Sequence, residues 1–347
     1  MSASEPWLSI LMPVYNVAAY LDECLESIRA QLAPGIEVIA LDDASSDASA
    51  EVLARAQARF GAALHRVSHE RNRGVAVTRN DLLQQARGRH VWFVDADDIL
   101  RPGAVRSLQH VVERESPDLV MCDFRVHRRD FRLKHRLRGE LHRHTFSGPA
   151  RQLGRDHSAL VAGLLVAGQL HSWSKIATRA VWQRVRFPED RYFEDIAVIP
   201  QLVDAVDTYY YAPETWIDYR QRPGSILEDF SAQKMRHLIH ALRDLHAQLP
   251  SSHTALDAQA LFSIRHFFLK SHASMARRIG KRDLAGSADG SDLAVLLKAN
   301  LDVMFPEGLD GILGDYRRRG WLLRAHRARS SLQRAGLYRA GALRTSS

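Results

Sequence analysis

The chain has 347 residues, of which 46% are apolar and 25% charged, the composition of an ordinary folded protein. This composition excludes disordered, collagen-like and coiled-coil chains, and the length favours two domains or one domain with an appendage. Lys and Arg number 48 against 40 Asp and Glu, which gives a formal net charge of +8. Residues 317–347 hold nine Arg and no acid, so residues 1–316 carry 39 basic and 40 acidic groups. The positive charge therefore belongs to the C-terminal tail and gives no argument for a specific nucleic-acid partner.

The two cysteines, Cys24 and Cys122, are too few for a disulfide framework or a four-ligand zinc site. A reducing compartment is therefore expected. The N-terminus lacks the basic and apolar regions of a secretory signal. No uncharged apolar run reaches the roughly 18 residues that a membrane span needs. The sequence thus predicts a cytoplasmic protein.

Residues 8–124 alternate strand and helix patterns. Strands are predicted at 8–12, 37–41, 64–67, 91–94 and 119–124. The first helix is predicted to follow Asn16, which would cap it, and further helices are predicted at 48–60, at 75–86 and after Pro102. Such alternation is typical of a parallel α/β sheet. Ligands of these sheets bind beyond the carboxyl ends of the strands. Three polar clusters fall at that edge, at 13–16, 42–47 and 95–98.

The second half of the chain changes in character. Residues 125–144 are rich in Arg and His, which predicts an exposed excursion or a β-hairpin, and a helix is predicted at 156–167. Strand and helix patterns return over 173–219. The predicted organisation is an α/β domain over 1–230, an α-helical appendage over 231–316 and a basic tail over 317–347. Helices of the appendage are predicted at 231–249, 256–279 and 291–304.

Asp95, Asp97 and Asp98 place three carboxylates in four residues after a buried strand. Such a cluster is costly without a cation, and Mg²⁺ or Mn²⁺ bridging to substrate phosphates is the natural partner. The alternative is the acid-rich first turn of a helix. Asp42 and Asp43 form a second acidic pair, which either caps the next helix or accepts hydrogen bonds from a nucleoside.

Other polar residues have two interpretations each. Asn72 and Arg79 supply donors near the same sheet edge, although a solvated helix face is the commoner place for an Arg. Glu194 and Asp195 enter an apolar helix, where they act through the helix dipole or as a catalytic carboxylate. The 17 histidines match no metal-binding motif and are interpreted as scattered surface or satisfied groups. P-loop and dinucleotide-binding glycine motifs are absent from the sequence.

Residues 8–16, Leu-Ser-Ile-Leu-Met-Pro-Val-Tyr-Asn, resemble the opening strand of family-two glycosyltransferases of the GT-A fold. Further matches follow in the family order over residues 8–98: LDDASSD at 41–47, with Ala44 where Gly is usual, NRG at 72–74, TRN at 78–80 and FVDADD at 93–98. Trp173-Ser174-Lys175, Phe187-Pro188, Glu194-Asp195-Ile196 and the Tyr219 to Ile226 segment resemble the acceptor side of bacterial polysaccharide-assembling members. The resemblance covers residues 7–227.

The resemblance implies a Rossmann-like, mostly parallel sheet flanked by helices and an inverting sugar transfer from a nucleotide diphosphate sugar, usually UDP-linked. Residues 7–124 would be the nucleotide-sugar half and 125–230 the acceptor half. The residues implied for the nucleotide sugar are Pro13, Tyr15, Asn16, Asp43, Asn72, Arg79, Asp95 and Asp97. Asp97 and Asp98 would bind Mn²⁺ or Mg²⁺, and Asp195 would be the general base with Glu194 beside it.

Acceptor contacts are assigned to two residues. Trp173 would stack on a carbohydrate or lipid-linked acceptor, and Lys175 would reach a phosphate. The alternatives are a buried aromatic for Trp173 and a solvated ammonium for Lys175. The tail over 316–344 interleaves Arg with apolar residues, which is typical of a peripheral contact with an anionic membrane. The alternatives are a solvated, partly disordered tail and non-specific binding of RNA.

Two other functions remain as alternatives. A nucleotidyltransferase that forms nucleotide sugars would need a Gly-rich, cationic phosphate loop, and residues 13–18 contain neither Gly nor a cation. A non-catalytic scaffold of the same fold would be expected to have lost Asp97, Asp98 or Asp195, and all three are present.

Overall fold

The computed structural model describes residues 5–127, 141–189, 191–221, 231–249, 255–279 and 287–338. Within these ranges the chain forms one sheet of ten strands. The strands are β1 (Leu8–Val14), β2 (Ile36–Asp42), β3 (Leu64–Ser68), β4 (His90–Phe93), β5 (Ile99–Leu100), β6 (Leu119–His127), β7 (His142–Arg143), β8 (Leu153–Gly154), β9 (Lys175–Thr178) and β10 (Tyr209–Arg220).

The sheet has the strand order β3-β2-β1-β4-β9-β6-β10-β5, with β7 on β6 and β8 on β10. The long pairings β1–β2, β1–β4, β2–β3 and β6–β10 are parallel, so the predicted mostly parallel sheet is confirmed. β9 is antiparallel to both β4 and β6. It therefore separates the N-terminal parallel half of the sheet from the second parallel pair.

In the described chain, eight α-helices flank the sheet or connect its strands and five follow it. Before the appendage they are α1 (Ala18–Arg29), α2 (Ser49–Phe60), α3 (Val75–Gln85), α4 (Ala104–Glu115), α5 (His157–Ala167), α6 (Arg179–Trp182), α7 (Glu194–Ala197) and α8 (Ile199–Ala205). The appendage contains α9 (Ala232–Gln248), α10 (Ala258–Ile279), α11 (Ala288–Met304), α12 (Asp310–Arg318) and α13 (Leu322–Arg334). α9 to α11 match the three predicted helices.

Burial of alternating layers explains why these segments fold as they do. Every residue of β2 and of β4 is buried, which is the pattern of strands covered on both faces. α1 buries Leu21, Cys24, Leu25 and Ile28, which recur at the spacing of one helix face. The buried core continues from the sheet into the appendage helices. Cys24 and Cys122 are both free thiols inside this core.

The predicted cap at Asn16 is wrong. α1 begins at Ala18 with Val17 as its cap residue, and the Val17 side chain makes no capping hydrogen bond. The Ala18 amide donates instead to Asp47 Oδ2 at 2.9 Å. Asn16 instead has a left-handed backbone with φ of 51°. The side-chain oxygen of Asn16 accepts hydrogen bonds from the turn at residues 46–47, as described below. It is therefore not available to cap the helix.

The predicted hairpin around 125–144 is confirmed at its base. β7 pairs with β6 in antiparallel register, with Phe124 opposite Arg143 and Arg125 opposite His142. Residues 128–140 of the predicted excursion lie outside the described residues.

Much of the predicted basic tail folds onto the appendage. α13 packs on α10 and buries Ala325, Ala328 and Leu332. Leu322 and Leu323 are different, because they are 62% and 72% exposed. The apolar residues of the tail therefore serve mainly the protein core, with one exposed pair. Among the described residues, no helix has both the length and the apolar character needed to cross a membrane.

Candidate active site

The ends of β1 and β2 are joined by Asn16. Its side-chain oxygen accepts hydrogen bonds from the Ser46 amide at 2.8 Å and the Asp47 amide at 3.3 Å. Its own amide donates to Ser45 Oγ at 3.0 Å. Ala44, at the position where Gly is usual, takes a left-handed backbone with φ of 57°. The turn thus keeps a geometry that normally favours glycine, despite the Cβ atom.

Asp43 holds the loop before α3. One carboxylate oxygen accepts from the Arg73 amide and the other from the Gly74 amide, both at 2.8 Å. His69 Nδ1 lies 2.6 Å from the first oxygen, and Asn72 Nδ2 donates weakly to the Asp43 carbonyl at 3.4 Å. Asp43 is 2% exposed. This anchoring is clear in the structure, while contact with a nucleotide base stays a prediction.

Arg79 on α3 is the centre of the site. It is 3% exposed, so the alternative of a solvated helix face is wrong, while a contact with the nucleotide sugar stays a prediction. Nη1 donates to Glu194 Oε1 at 2.5 Å and to Asp195 Oδ1 at 3.1 Å, and Nη2 donates to Asp95 Oδ1 at 3.2 Å. The rings of Phe93 and Phe187 lie 5.9 and 5.5 Å from the guanidinium carbon. One buried cation therefore connects the acidic cluster after β4 with the acidic pair of α7.

Glu194 and Asp195 form the first turn of α7. The residue before them, Phe193, has a left-handed backbone with φ of 66°, which is unfavourable for a side chain of this size. Asp195 Oδ1 also accepts from the Ser172 amide at 3.3 Å and from the Ser172 hydroxyl. Among the described residues, Asp195 Oδ2 receives no hydrogen bond. One oxygen of this carboxylate is fixed, and the other is left for a ligand.

The two carboxylates of α7 differ in protonation. Burial acts to raise the pKa of Asp195, but Arg79, His171 and the Ser172 hydrogen bond outweigh it and lower that pKa. Burial raises the pKa of Glu194 to about 7, against the lowering effect of Arg79. Burial likewise raises the pKa of Asp95 to about 6. Asp195 is therefore the carboxylate of these three whose pKa the surroundings lower, and it is ionised at neutral pH.

The acidic turn after β4 is fastened to the end of β10 by Arg220. The Arg220 amide donates to Asp98 Oδ1 at 2.8 Å, and its Nε donates to the Asp97 carbonyl at 2.8 Å. Its Nη2 reaches Glu23 Oε2 at 2.6 Å, and Tyr20 lies beneath the guanidinium at 5.1 Å. The two strands β4 and β10 thus jointly position the acidic turn.

Asp98 shows that the acidic turn fits a divalent cation. Its side chain is 1% exposed, and its Oδ2 has no hydrogen-bond partner. Burial raises its pKa, and the charges of Asp97 and Asp95 raise it further. A buried carboxylate oxygen without a partner is costly unless a cation or proton satisfies it. Asp97 and Asp98 are the oxygen ligands that would hold Mg²⁺ or Mn²⁺.

The positions of Trp173 and Lys175 disagree with their predicted acceptor contacts. Trp173 is 1% exposed, and its ring stacks on His171 at 4.8 Å and meets the edge of Phe124 at 4.8 Å. Lys175 is 1% exposed and donates to the Gln169 and His171 carbonyls at 3.1 and 2.9 Å. Burial lowers its pKa to about 7. Both residues instead support the 169–174 loop, and neither has a surface for an acceptor here.

The helical appendage braces the segment before the acidic pair. The Tyr192 amide donates to His237 Nδ1 on α9 at 3.1 Å, and Arg191 Nη1 lies 2.5 Å from Asp244 Oδ2. Tyr192 and His237 also place their ring centres 5.5 Å apart. The appendage is therefore in contact with the base of the site, although no sequence motif indicates this.

Several residues that complete the site were missed by sequence reasoning. Ser172 fixes Asp195, His69 fixes Asp43, and Arg220 fixes the acidic turn. Arg220 belongs to the Tyr219 to Ile226 motif, whose presence gave a signal. Residues 222–226 of that motif lie outside the described residues. Tyr15 is 47% exposed at the same edge, while Pro13 pairs with Leu41 inside the sheet.

Comparison with known proteins relates the N-terminal part of the chain to a family. Residues 9–164 match the family described as Glycosyl transferase family 2. The putative glycosyltransferase EpsH of Bacillus subtilis is 37% identical over 122 residues, which are 34% of this chain and 34% of that protein. The matched part of the chain thus spans about a third of the length of this relative.

Solved structures extend the similarity to the whole fold. The 1–349 fragment of S. aureus TarS, solved with UDP-GlcNAc, has a TM-score of 0.71 at 19% identity and covers 96% of this chain and 93% of that chain. The mannosyltransferase PcManGT from Pyrobaculum calidifontis, solved with GDP-Man and Mn²⁺, has a TM-score of 0.50 at 18% identity and covers 96% and 86%. Residues 9–164 are thus similar to glycosyl transferase family 2, and the fold of the chain is GT-A.

Proposed function

We propose that the chain is an inverting glycosyltransferase that moves a sugar from a nucleotide diphosphate sugar, UDP-linked, to a hydroxyl of a growing surface polysaccharide or glycolipid. The observation that carries this proposal is the pair of hydrogen bonds from the Arg79 guanidinium to Asp195 and to Asp95. One guanidinium thus contacts both the ionised Asp195 and the acidic turn at Asp95, which fits a cation. A carboxylate that could deprotonate the acceptor hydroxyl therefore lies next to a candidate binding site for the diphosphate.

The donor class is supported by two kinds of observation. The site lies at the carboxyl ends of parallel strands, where nucleotides bind in open α/β sheets. TarS and PcManGT were solved with UDP-GlcNAc and with GDP-Man plus Mn²⁺, respectively. We assign the nucleotide sugar to the edge formed by Pro13, Tyr15, Asn16, Asp43 and Asn72, with Asp95 and Asp97 nearer the diphosphate.

Asp195 supplies the proton acceptor. Inversion by a single displacement requires the acceptor hydroxyl to lose its proton as it attacks, and one carboxylate within hydrogen-bond reach meets that requirement. Asp195 Oδ1 is held by Arg79 and Ser172, which leaves Oδ2 to accept the proton. Glu194 accepts from the same Arg79 nitrogen as Asp195 and so helps to orient the base.

Asp97 and Asp98 would hold the divalent cation. A bound Mg²⁺ or Mn²⁺ supplies charge stabilisation for the leaving diphosphate, so that no protein acid is required. The part played by this chain is to present the carboxylates rigidly. Arg220 does so by fixing Asp98 Oδ1 and the Asp97 carbonyl.

The test is calorimetric titration of UDP into the full-length protein, first with Mn²⁺ and then with EDTA. Binding that requires Mn²⁺ supports the donor site. Absence of binding in both conditions contradicts a UDP donor, and GDP and dTDP would be titrated next. Sugar transfer from UDP-sugars to a panel of saccharide acceptors then distinguishes an enzyme from a scaffold or from a nucleotidyltransferase.

The base assignment needs a variant that leaves the donor site intact. In Asp195→Asn we expect unchanged UDP affinity and a transfer rate lower by about 10²–10⁴-fold, the usual contribution of a general base. Asp207→Asn, at an exposed position, is the control. Wild-type turnover by Asp195→Asn would contradict the assignment.

The tail carries a second, narrower proposal, a peripheral contact with the cytoplasmic leaflet. Leu322 and Leu323 are 62% and 72% exposed and are flanked by exposed Arg317–Arg319 and Arg324. An apolar pair among arginines fits an anionic membrane surface. Co-sedimentation with vesicles containing phosphatidylglycerol should decrease for a Leu322→Glu, Leu323→Glu double variant. Equal sedimentation of wild type and variant would refute the contact.

A further inference from the structure

Asp123, His142 and His144 form a polar cluster outside the proposed active site. Asp123 lies on β6 with a side chain that is 0% exposed, and His142 lies on β7, which pairs with β6. His142 Nε2 and His144 Nδ1 lie 2.7 and 2.8 Å from the same oxygen, Asp123 Oδ2. Alternate residues of an extended segment project to one side, which explains why a His-x-His pair meets one carboxylate.

The other oxygen of Asp123 is fixed by separate partners. The Thr145 amide donates to Asp123 Oδ1 at 3.0 Å, and the Tyr211 hydroxyl donates to it at 2.8 Å. Oδ2 is thereby held toward the two imidazoles. Partners that orient a ligating carboxylate in this way are typical of the surroundings of metal sites.

We propose that Asp123, His142 and His144 bind a divalent transition-metal ion such as Zn²⁺. Their ligand atoms lie within 4.8 Å of one another. In tetrahedral Zn²⁺ sites with bonds of about 2.0–2.2 Å, the donor atoms lie about 3.4 Å apart, so small side-chain rotations suffice. On metal binding, each neutral imidazole carries its proton on the ring nitrogen that faces away from Asp123, so that His142 Nε2 and His144 Nδ1 are free to bind the ion.

The donor set determines which metal fits. Two imidazole nitrogens and one carboxylate oxygen favour Zn²⁺, Co²⁺ or Ni²⁺, whereas Mg²⁺ and Mn²⁺ favour all-oxygen sites such as the turn at Asp97 and Asp98. The side chains of His142 and His144 are 45% and 66% exposed. They leave an open route for the ion and a coordination position for water. The ion would fasten residues 142–145 to β6, a structural role distinct from donor binding.

This proposal differs from the interpretation of the histidines as scattered surface or satisfied groups. The available sequence signal was the His-x-His spacing at 142 and 144, two residues apart in a segment predicted to form a hairpin. The third ligand was not predictable, because Asp123 lies 19 residues before His142 and meets it only through strand pairing.

The test uses full-length protein without an affinity tag, stripped of metal and titrated with Co²⁺. We expect one equivalent to bind with the intense visible absorption of a low-coordinate site with nitrogen ligands. A His142→Ala, His144→Ala double variant should lose this absorption, and His110→Ala, at an exposed position on α4, should keep it. Because both replaced side chains are well exposed, the variant is expected to fold.

Two further measurements test the site without relying on the Co²⁺ absorption of the double variant. Tyr211→Phe removes one partner of Asp123 and should weaken Co²⁺ binding by about 10-fold, the effect of losing a supporting hydrogen bond. Zn²⁺ should raise the Tm of wild-type protein but not of the double-His variant. Wild-type absorption retained by the double variant, or no such absorption in wild type, would overturn the proposal.

Discussion

Arg79 Nη1 lies 3.1 Å from Asp195 Oδ1, and this contact links the proposed general base to the donor side of the site. The same guanidinium contacts Asp95 through Nη2 at 3.2 Å. Burial acts to lower the pKa of Arg79, but the surrounding carboxylates raise it, so the cation is permanent. The protein thus uses one buried charge to keep Asp195 ionised and correctly placed.

Replacing Arg79 by Lys should reduce turnover. Lys keeps the charge, but a single ammonium lacks the fork that reaches Asp195 and Asp95 together. Asp195 then loses part of the effect that lowers its pKa. Because the base must be deprotonated, the acidic limb of kcat/KM should move to higher pH.

A pH–rate profile of Arg79→Lys checks this expectation, with Arg106→Lys on an exposed face of α4 as the control. We expect a fall in kcat of at least about 10-fold, within the usual effect of misplacing a base. An unmoved acidic limb would show that Arg79 does not set the pKa of the base.

Replacing Asp98 by Asn should separate metal binding from folding. Asp98 Oδ2 is buried without a partner, and burial with the neighbouring charges raises the Asp98 pKa. In EDTA, the neutral side chain should therefore leave Tm unchanged or raise it. With Mn²⁺ and UDP, wild-type protein should gain Tm and Asp98→Asn should gain much less.

Thermal unfolding with and without Mn²⁺ and UDP is the measurement, and Asp292→Asn, at an exposed position of α11, is the matched control. Equal stabilisation of wild type and Asp98→Asn by Mn²⁺ plus UDP would remove Asp98 from the ligand set.

The sequence predicts the parts of the site that follow strands and not the contacts that cross the fold. Asn16, Asp43 and Asp97 fall at the sheet edge because hydrophobic runs and polar turns define where β1, β2 and β4 end. The partner of Arg79 was not predictable in this way, since Glu194 lies 115 residues further along the chain. Trp173 is buried and therefore does not contact an acceptor in this structure. The sequence could not show this, because the sequence alone does not distinguish an exposed Trp from a Trp in the core.

The helical appendage also lay beyond sequence reasoning about the site. Its three predicted helices are present, but their periodicity showed only which faces are apolar. Its contact with the segment before Glu194 depends on His237 and Asp244, which carry no recognisable pattern.

Replacing His237 by Ala should lower turnover without changing UDP affinity. The variant removes the acceptor of the Tyr192 amide, 3.1 Å away, which holds the chain just before the acidic pair. Such a hydrogen bond contributes about 1 kcal/mol, so we expect kcat to fall by about 5-fold. His240→Ala on the same helix is the control, and kinetics with UDP calorimetry are the measurements. A parallel loss in both variants would mean that α9 acts through general stability.

Replacing Ala44 by Gly should stabilise the protein. Ala44 has φ of 57°, a left-handed conformation that costs a non-glycine residue about 1–2 kcal/mol. Gly removes this cost but adds conformational freedom to the unfolded chain, which offsets up to about 1 kcal/mol. The free energy of unfolding should therefore rise by up to about 1 kcal/mol.

Denaturant unfolding measures this change in free energy. Ala48→Gly, at the cap residue of α2 with φ of −73°, is the control that should not gain stability. Because Asn16 fixes the same turn through Ser46, the stabilised variant should keep its UDP affinity. A loss of stability in Ala44→Gly would show that the left-handed turn is not strained by Ala.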